Sequence, residues 1–190
     1  MIPPHNQSGV LPPYLGSSPI AENLMAPYKV TLLEVAQQFS SSVARRAIIG
    51  GLVSYRAELL KAGITSGFQW IDGSFVEEVE KNAGRPPTDI DIITFAERPS
   101  AYLDFQKWSN FVNSRKDLFL PPESKKHYKC DAYYIDMWLP PAILISQTRY
   151  WFGLFSHQRD TFLWKGMLEV PLCDDKDVIS FLSYGGKNAS

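Results

Sequence analysis

Prolines divide this chain into segments and so limit where its helices and strands can lie. The sequence has 14 prolines among 190 residues, and six of them stand in residues 1–28, among glycines and serines. Proline fixes φ and lacks an amide hydrogen, so this stretch is predicted to be neither a helix nor a central strand. The pairs Pro86-Pro87, Pro121-Pro122 and Pro140-Pro141 are predicted to interrupt regular structure again.

Length and composition favour one globular domain. Hydrophobic residues make up 45% of the chain and charged residues 21%, which is ordinary for a folded domain of this size. We therefore expect a single domain over residues 31–190, preceded by a proline-rich extension over residues 1–30. The apolar residues Val10 and Leu11 in that extension predict that it packs on the domain.

Charge and cysteine content exclude several classes of protein. The net charge of −1 gives no general attraction to nucleic acid or to an anionic membrane. Two cysteines cannot form a disulfide scaffold, the N-terminus lacks the features of a signal peptide, and the apolar stretches are too short to cross a bilayer. The expected location is the reducing cytoplasm, with no membrane partner.

Hydrophobic spacing predicts an α/β (α+β) fold with a small mixed β-sheet flanked by helices. Thr31 and Glu34 form a capping-box pattern at the start of the first predicted helix. Residues 77–88 are polar and are predicted to form a loop. The predicted helices are 32–39, 43–62, 101–113 and 142–155, and the predicted strands are 68–72, 89–95, 128–139 and 167–172.

Two of the predicted strands bring small and acidic residues together. Gly73 and Ser74 follow the first strand, where a glycine lets a phosphate approach the backbone and a serine hydroxyl can bind it. Asp89 and Asp91 are two residues apart on the next strand, so they share one face. Adjacent carboxylates repel each other unless a cation lies between them, and Mg²⁺ with oxygen ligands is the natural cation. Two such ions can promote an in-line phosphoryl transfer.

A third carboxylate for this site has two candidates on the following strand. Asp131 and Asp136 are five residues apart, so they face opposite sides of a regular strand and only one can join the site. Asp131 is favoured because it lies where the strand begins, nearer the expected rim of the site.

The pattern Ile71-Asp72-Gly73-Ser74, then Asp89-Ile90-Asp91, then a later strand carboxylate resembles the nucleotidyltransferase superfamily of the polymerase-β kind. The resemblance implies a polymerase-β-like core in which Asp89, Asp91 and Asp131 hold two Mg²⁺ ions. It also implies transfer of a nucleoside monophosphate from a nucleoside triphosphate, such as ATP, to a hydroxyl of RNA, a protein or a small molecule.

Other segments extend the resemblance over most of the chain. The segments 1–4, 9–13, 72–76 and 151–166 look like a small bacterial family with a nucleotidyltransferase-like core. The Asp89-Ile90-Asp91 segment is also similar to toxin and antitoxin nucleotidyltransferases, which implies a toxin–antitoxin or phage-defence setting. Two departures concern the substrate: fourteen residues separate Ser74 from Asp89, and the Arg-Gly of the minimal antitoxin members is absent.

Basic residues after the acidic pair are candidates for contact with the nucleotide. Lys129 belongs to a basic run that is either a solvated surface or a binding site for a triphosphate or an RNA backbone. Lys129, Arg159 and Lys165 are predicted, with Gly73 and Ser74, to bind the nucleotide. The aromatic cluster at 150–155 is predicted to be mostly core, with one ring able to stack on a base.

Simpler interpretations remain beside the enzymatic one. An Asp-x-Asp pair often lies solvated at a strand end, and Asp72 is expected to cap the turn that follows it. Zinc binding by His127 and Cys130, and a serine-hydrolase mechanism, lack the required patterns. The alternative to an enzyme is an inactive binding module or antitoxin-like partner subunit of the same fold, and a metal-dependent nuclease is a third hypothesis.

Overall fold

A five-stranded mixed sheet organises the structure. The computed structural model describes residues 1–173 and 175–185. The strands are β1 (Tyr28–Lys29), β2 (Gly67–Asp72), β3 (Ile90–Ala96), β4 (Cys130–Asp136) and β5 (Leu168–Pro171). The α-helices are α1 (Leu32–Phe39), α2 (Val43–Lys61), α3 (Val79–Ala83), α4 (Phe105–Ser114), α5 (Lys116–Phe119), α6 (Pro121–Tyr128), α7 (Pro141–Phe155) and α8 (Lys176–Gly185). The predicted α/β (α+β) class is confirmed.

The order of the strands is β1-β5-β2-β3-β4. β2 lies antiparallel to both β5 and β3, whereas β4 runs parallel to β3 and β1 runs parallel to β5. β4 is therefore an edge strand, and β2 and β3 lie inside the sheet. No helix within the described residues has both the length and the hydrophobicity needed to cross a bilayer.

The two faces of the sheet carry separate hydrophobic clusters. Ile90 and Ile92 of β3 belong to the large core that also contains residues of α1 and α2. Ile93 and Phe95 point to the opposite face, where they belong to a smaller cluster with Trp151 of α7. This alternation follows from the two-residue period of a strand, and it places every other residue of β3 on the α7 face.

The first two helices form where the sequence predicted them. The Thr31 side chain accepts a hydrogen bond from the Glu34 amide, and the Glu34 carboxylate accepts one from the Thr31 amide, so the capping box is confirmed. The helix predicted over residues 43–62 ends at Lys61. Gly51 within it faces α6, where a Cβ would overlap the backbone carbonyl of Tyr128.

Two polar segments differ from prediction. The predicted loop at 77–88 contains the short helix α3, and Pro121-Pro122 begins α6. Proline is compatible with the first turn of a helix because the amide hydrogens there have no partner within the helix. The strand β1 and the helix α8 were not predicted, since β1 has only two residues and takes its hydrogen bonds from β5.

The N-terminal segment lies against the core. Val10 and Leu11 have no solvent exposure, and the Leu11 carbonyl accepts a 2.7 Å hydrogen bond from the Gly166 amide. The Tyr28 hydroxyl donates to the carbonyl of Pro12 at 2.7 Å. The segment is thus tied to residues that precede β5, and its end supplies β1.

The adjacent glycines of α2 provide a matched test of this packing. Gly51→Ala is expected to destabilise the protein by about 1–3 kcal/mol, because the new methyl group overlaps a backbone carbonyl that cannot rotate away. Gly50 has no atom within 4 Å of an added Cβ. Gly50→Ala is therefore expected to stabilise the helix by about 0.5–1 kcal/mol. Urea denaturation of both variants measures the difference, and equal effects would contradict the close contact.

Candidate functional site

Three aspartates form a row across three neighbouring strands. Asp72 at the end of β2 is the register partner of Asp91 on β3, and Asp91 is the partner of Asp131 on β4. Register partners project from the same face of a sheet, so these three carboxylates, called here the carboxylate row, share the α7 face. Asp89 precedes Asp91 by two residues. The structure therefore brings the predicted Asp89, Asp91 and Asp131 to one end of the sheet.

Gly73 makes the turn at the end of β2 and allows Asp91 to lie against it. Its φ of 81° and ψ of −168° belong to a region that is essentially restricted to glycine. A Cβ at this position would overlap the Asp91 carboxylate. Ser74 follows in the short 3₁₀ turn Ser74–Val76 and is partly exposed. The predicted Gly-Ser pair thus lies beside the central carboxylate of the row.

The central carboxylate is in an unfavourable electrostatic position. Burial, together with the nearby carboxylates of Asp89 and Asp131, raises the pKa of Asp91 to about 6. Like charges close together in a partly buried site favour the protonated form of one member. A divalent cation would remove this repulsion, and carboxylate oxygens are suitable ligands for Mg²⁺.

Lys165 lies beneath the row and not on the surface. It is 3% exposed, and its ammonium lies 2.7 Å from Glu77 Oε1 and 3.1 Å from Asp72 Oδ2. Burial by itself would lower the pKa of Lys165, but Asp72 and Glu77 outweigh it and raise the pKa. Burial raises the pKa of Asp72 to about 7, although the charge of Lys165 lowers it. Lys165 therefore holds Asp72 and the following turn in place.

One oxygen of Asp72 has no partner. Asp72 is 4% exposed, and its Oδ1 is a buried atom without a hydrogen-bond partner among the described residues. Such an atom is costly unless a ligand or a water molecule reaches it. In chemistry and charge the carboxylate row fits a hard divalent cation. Within the described part of the chain, however, no three His, Cys, Asp or Glu side chains are already arranged to hold a metal ion, so binding requires the side chains to rotate.

Two lysines, Lys125 and Lys129, lie at the same end of the sheet as Asp89. The Lys125 ammonium is in direct contact with the Asp89 carboxylate, and this hydrogen bond raises the pKa of Lys125. The charges of Asp131 and Asp91 raise that pKa further. Lys129 is exposed at the end of α6, and its carbonyl accepts a 3.0 Å hydrogen bond from the Ile90 amide. The predicted Lys129 therefore lies at the carboxylate end of the sheet, as does Lys125.

The alternative third carboxylate lies elsewhere. Asp136 is at the far end of β4, on the face opposite to Asp131, and it forms an ion pair with Arg98. Arg159 is exposed in the turn after α7. Its neighbour Gln158 donates a 2.8 Å hydrogen bond to Glu77, which places that turn near Lys165. Of the two candidates, Asp131 is the residue that the topology places beside Asp91.

Several residues of this site have contacts that local sequence patterns do not reveal. Asp72 was predicted to cap a turn, although strand alternation from Trp70 would have placed it on the face of Asp91. Lys125 belongs to the same basic run as Lys129, and Glu77 lies in the segment predicted to be a loop. No local pattern reveals the contact of Glu77 with Lys165, because 88 residues separate the two.

Most of the chain matches one protein family. The model of the family described as "Family of unknown function (DUF6932)" matches residues 3–171. The chain belongs to this family. Comparisons with curated proteins and with solved structures gave no significant match. The range shared with the DUF6932 family includes all five strands, the carboxylate row and Lys165, so the candidate site lies entirely within the family's domain.

Gly73 provides the first test of the site. Gly73→Ala is expected to destabilise the protein more than Gly84→Ala, by about 1–3 kcal/mol, because the new methyl group overlaps the Asp91 carboxylate. Gly84 is the matched control, since it also has positive φ but no atom within 4 Å of an added Cβ. Chemical denaturation compares the two variants. Equal losses would show that backbone strain alone accounts for the effect.

The raised pKa of Asp91 provides the second test. The folded protein holds this proton with a pKa of about 6, against an ordinary value of 3.8 for aspartate. The unfolded chain therefore loses the proton first, and the stability that protonation contributes declines as pH rises through this interval. Without divalent cations, the free energy of unfolding of Asp91→Asn relative to that of the wild type should rise by about 1–2 kcal/mol from pH 4 to pH 7. Denaturation at each pH measures the difference, and a constant difference would contradict the assignment.

Proposed function

We propose that this protein is a Mg²⁺-dependent nucleotidyltransferase that moves a nucleoside monophosphate from a nucleoside triphosphate to a hydroxyl acceptor. The observation that carries the proposal is the alignment of Asp72, Asp91 and Asp131 across β2, β3 and β4, with Gly73 against the central carboxylate. The unpartnered Asp72 oxygen and the mutual repulsion at Asp91 favour a cation at this position.

Each residue has a role that follows from its position. Asp89, Asp91 and Asp131 would hold two Mg²⁺ ions, which when bound neutralise the phosphates and polarise them for attack. Gly73 and Ser74, at the open end of β2, would contact the terminal phosphates. Lys129 and Arg159 are exposed cations able to reach a nucleotide. Lys165 is buried, so its part is to position Asp72 and not to contact the nucleotide directly.

The transfer needs no covalent intermediate on the protein. The acceptor oxygen forms a bond to the α-phosphorus, the bond from that phosphorus to the bridging oxygen breaks, and pyrophosphate leaves with the electron pair. The hydroxyl proton passes to Asp131, which lies at the edge of the row and is partly exposed. The proposal includes a cytoplasmic location, with both cysteines unpaired, and an acceptor that is RNA or a partner protein of a toxin–antitoxin or phage-defence system.

Removal of the acidic pair tests the proposed activity. Asp89→Asn with Asp91→Asn should abolish Mg²⁺-dependent labelling of protein or RNA from α-³²P-labelled nucleoside triphosphates, because the ions lose two ligands. Asp160→Asn is the matched control, since Asp160 is exposed in the turn after α7. Full labelling by the double variant would exclude the mechanism. Release of nucleotides from RNA without a triphosphate would indicate a nuclease instead.

The alternative is a binding module of the same fold that has no turnover. It is favoured by the contact of Lys125 with Asp89, which supplies an internal cation where the enzyme would need a metal. Ligand binding raises the stability of the folded state by mass action, so a thermal shift separates the two functions. If the protein is an enzyme, Mg²⁺ together with a nucleoside triphosphate should raise its melting temperature. Absence of stabilisation by every nucleotide would favour the binding module.

A further inference from the structure

A cavity of about 390 Å³ opens at the outer edge of β4. Tyr133 and Tyr134 both line it, although adjacent residues of a strand point to opposite faces. The cavity must therefore lie at the free edge of the strand, between α4 on one face and α7 on the other. Its volume is within the range typical of small-molecule sites.

The walls of the cavity are mainly aromatic. Trp108 of α4 and Trp151 of α7 are buried and form opposite sides, and Phe105 stands at the mouth with 70% of its side chain exposed. The Arg98 guanidinium lies 5.9 Å from the centres of both the Phe105 and the Trp108 rings. Flat rings and a flat cation favour a planar ligand, which can stack on them.

The polar groups of the cavity favour a ligand with donors and acceptors on its edge. The Ser124 hydroxyl donates to the Cys130 carbonyl at 2.8 Å, which shows that the even-numbered residues of β4 turn their main-chain groups outward. Tyr134 continues this alternation, so its amide points away from β3 toward the free edge. The side chain of Gln147, exposed on α7, has no hydrogen-bond partner among the described residues.

The free edge is too short for a peptide strand. The Ser124 hydroxyl already bonds to the Cys130 carbonyl and the Ala132 amide. Tyr134 is therefore the next residue whose main-chain groups are available to a ligand. One residue offers one donor and one acceptor, which match the edge of a single heterocycle. An aliphatic ligand would leave these main-chain groups unpaired, at a cost in binding free energy. A planar nitrogen heterocycle satisfies both the stacking surfaces and the polar edge.

The cavity lies on the side of the site where the acceptor would bind. Across the sheet, Gly73 and Ser74 lie at the end of β2, and Asp131 lies on β4 at the other end of the carboxylate row. Tyr133 is two residues beyond Asp131 on the same face, about 7 Å along the strand. The cavity thus begins beside the carboxylate that would accept the proton of the attacking hydroxyl, away from the residues that would hold the triphosphate.

We propose that this cavity holds a nucleobase of the acceptor, so that the acceptor is a nucleic acid, an assignment that rests on the proposed function. The base lies in the cavity between the walls that Trp108 and Trp151 form, with Phe105 closing the mouth. Its edge pairs with the main chain of Tyr134 and with Gln147. A nucleotide held in this way presents its sugar hydroxyl toward Asp131.

Nucleosides test the proposal without any transfer reaction, since they carry no phosphate. Adenosine, guanosine, cytidine and uridine are titrated into the wild-type protein by calorimetry, with the indole and Tyr134 amide signals followed by NMR. At least one should bind and shift the Trp108, Trp151 and Tyr134 signals. Phe105→Ala and Gln147→Ala should each weaken binding about fivefold or more. Phe162→Ala is the matched control, because Phe162 is 81% exposed on another surface.

The remaining outcomes separate this proposal from the proposed function. Nucleoside binding should persist in Asp89→Asn with Asp91→Asn, even if that variant and the wild type transfer no nucleotide. It should also persist in the presence of Mg²⁺ and a saturating nonhydrolysable triphosphate, whereas displacement by the triphosphate would overturn the assignment to the acceptor. Absence of binding by all four nucleosides would overturn the proposal. Shifts caused by an extended peptide alone would overturn it in favour of strand addition.

Discussion

Repulsion among carboxylates is the constraint on which this end of the structure depends. Asp72, Asp91 and Asp131 stand in one row on adjacent strands, with Asp89 just outside β3. Strand pairing fixes the backbone of the three aspartates side by side, so only rotation of the side chains can change the distances between the carboxylates. The protein counters the repulsion in two ways. Lys165 and Lys125 supply positive charge, and Asp91 takes a raised pKa.

The two lysines act differently because their surroundings differ. Lys165 is buried between Asp72 and Glu77, so its loss would leave two carboxylates without a cation in the interior. Lys125 has about half of its side chain exposed, and its contact with Asp89 can be exchanged for a ligand at little cost. One side of the site is thus fixed, and the other can respond to a cation. Such a combination suits a binding site, which needs a rigid part to hold its geometry and a part that can exchange an internal contact for a ligand.

Local sequence patterns predicted those parts of the structure that depend on contacts between neighbouring residues. The capping box of α1 and the helical spacing of α2 each depend on residues within a few positions of one another, and both helices lie where they were predicted. The pairing of Asp89 with Asp91 on one strand follows from the same kind of reasoning. The roles of Lys125 and Glu77 did not follow, since each depends on a contact across the fold.

By itself, the sequence determined strands β2 to β5, helices α1, α2, α4 and α7 and the acidic pair, because hydrophobic period and proline positions act through neighbouring residues. Only the tertiary structure decided that Asp131 and not Asp136 lies beside Asp91, because register between β3 and β4 is set by packing on both faces. The tertiary structure also decided that Lys165 is buried and that the edge of β4 opens into a cavity. Burial and cavities depend on how distant segments meet, and no local pattern encodes that.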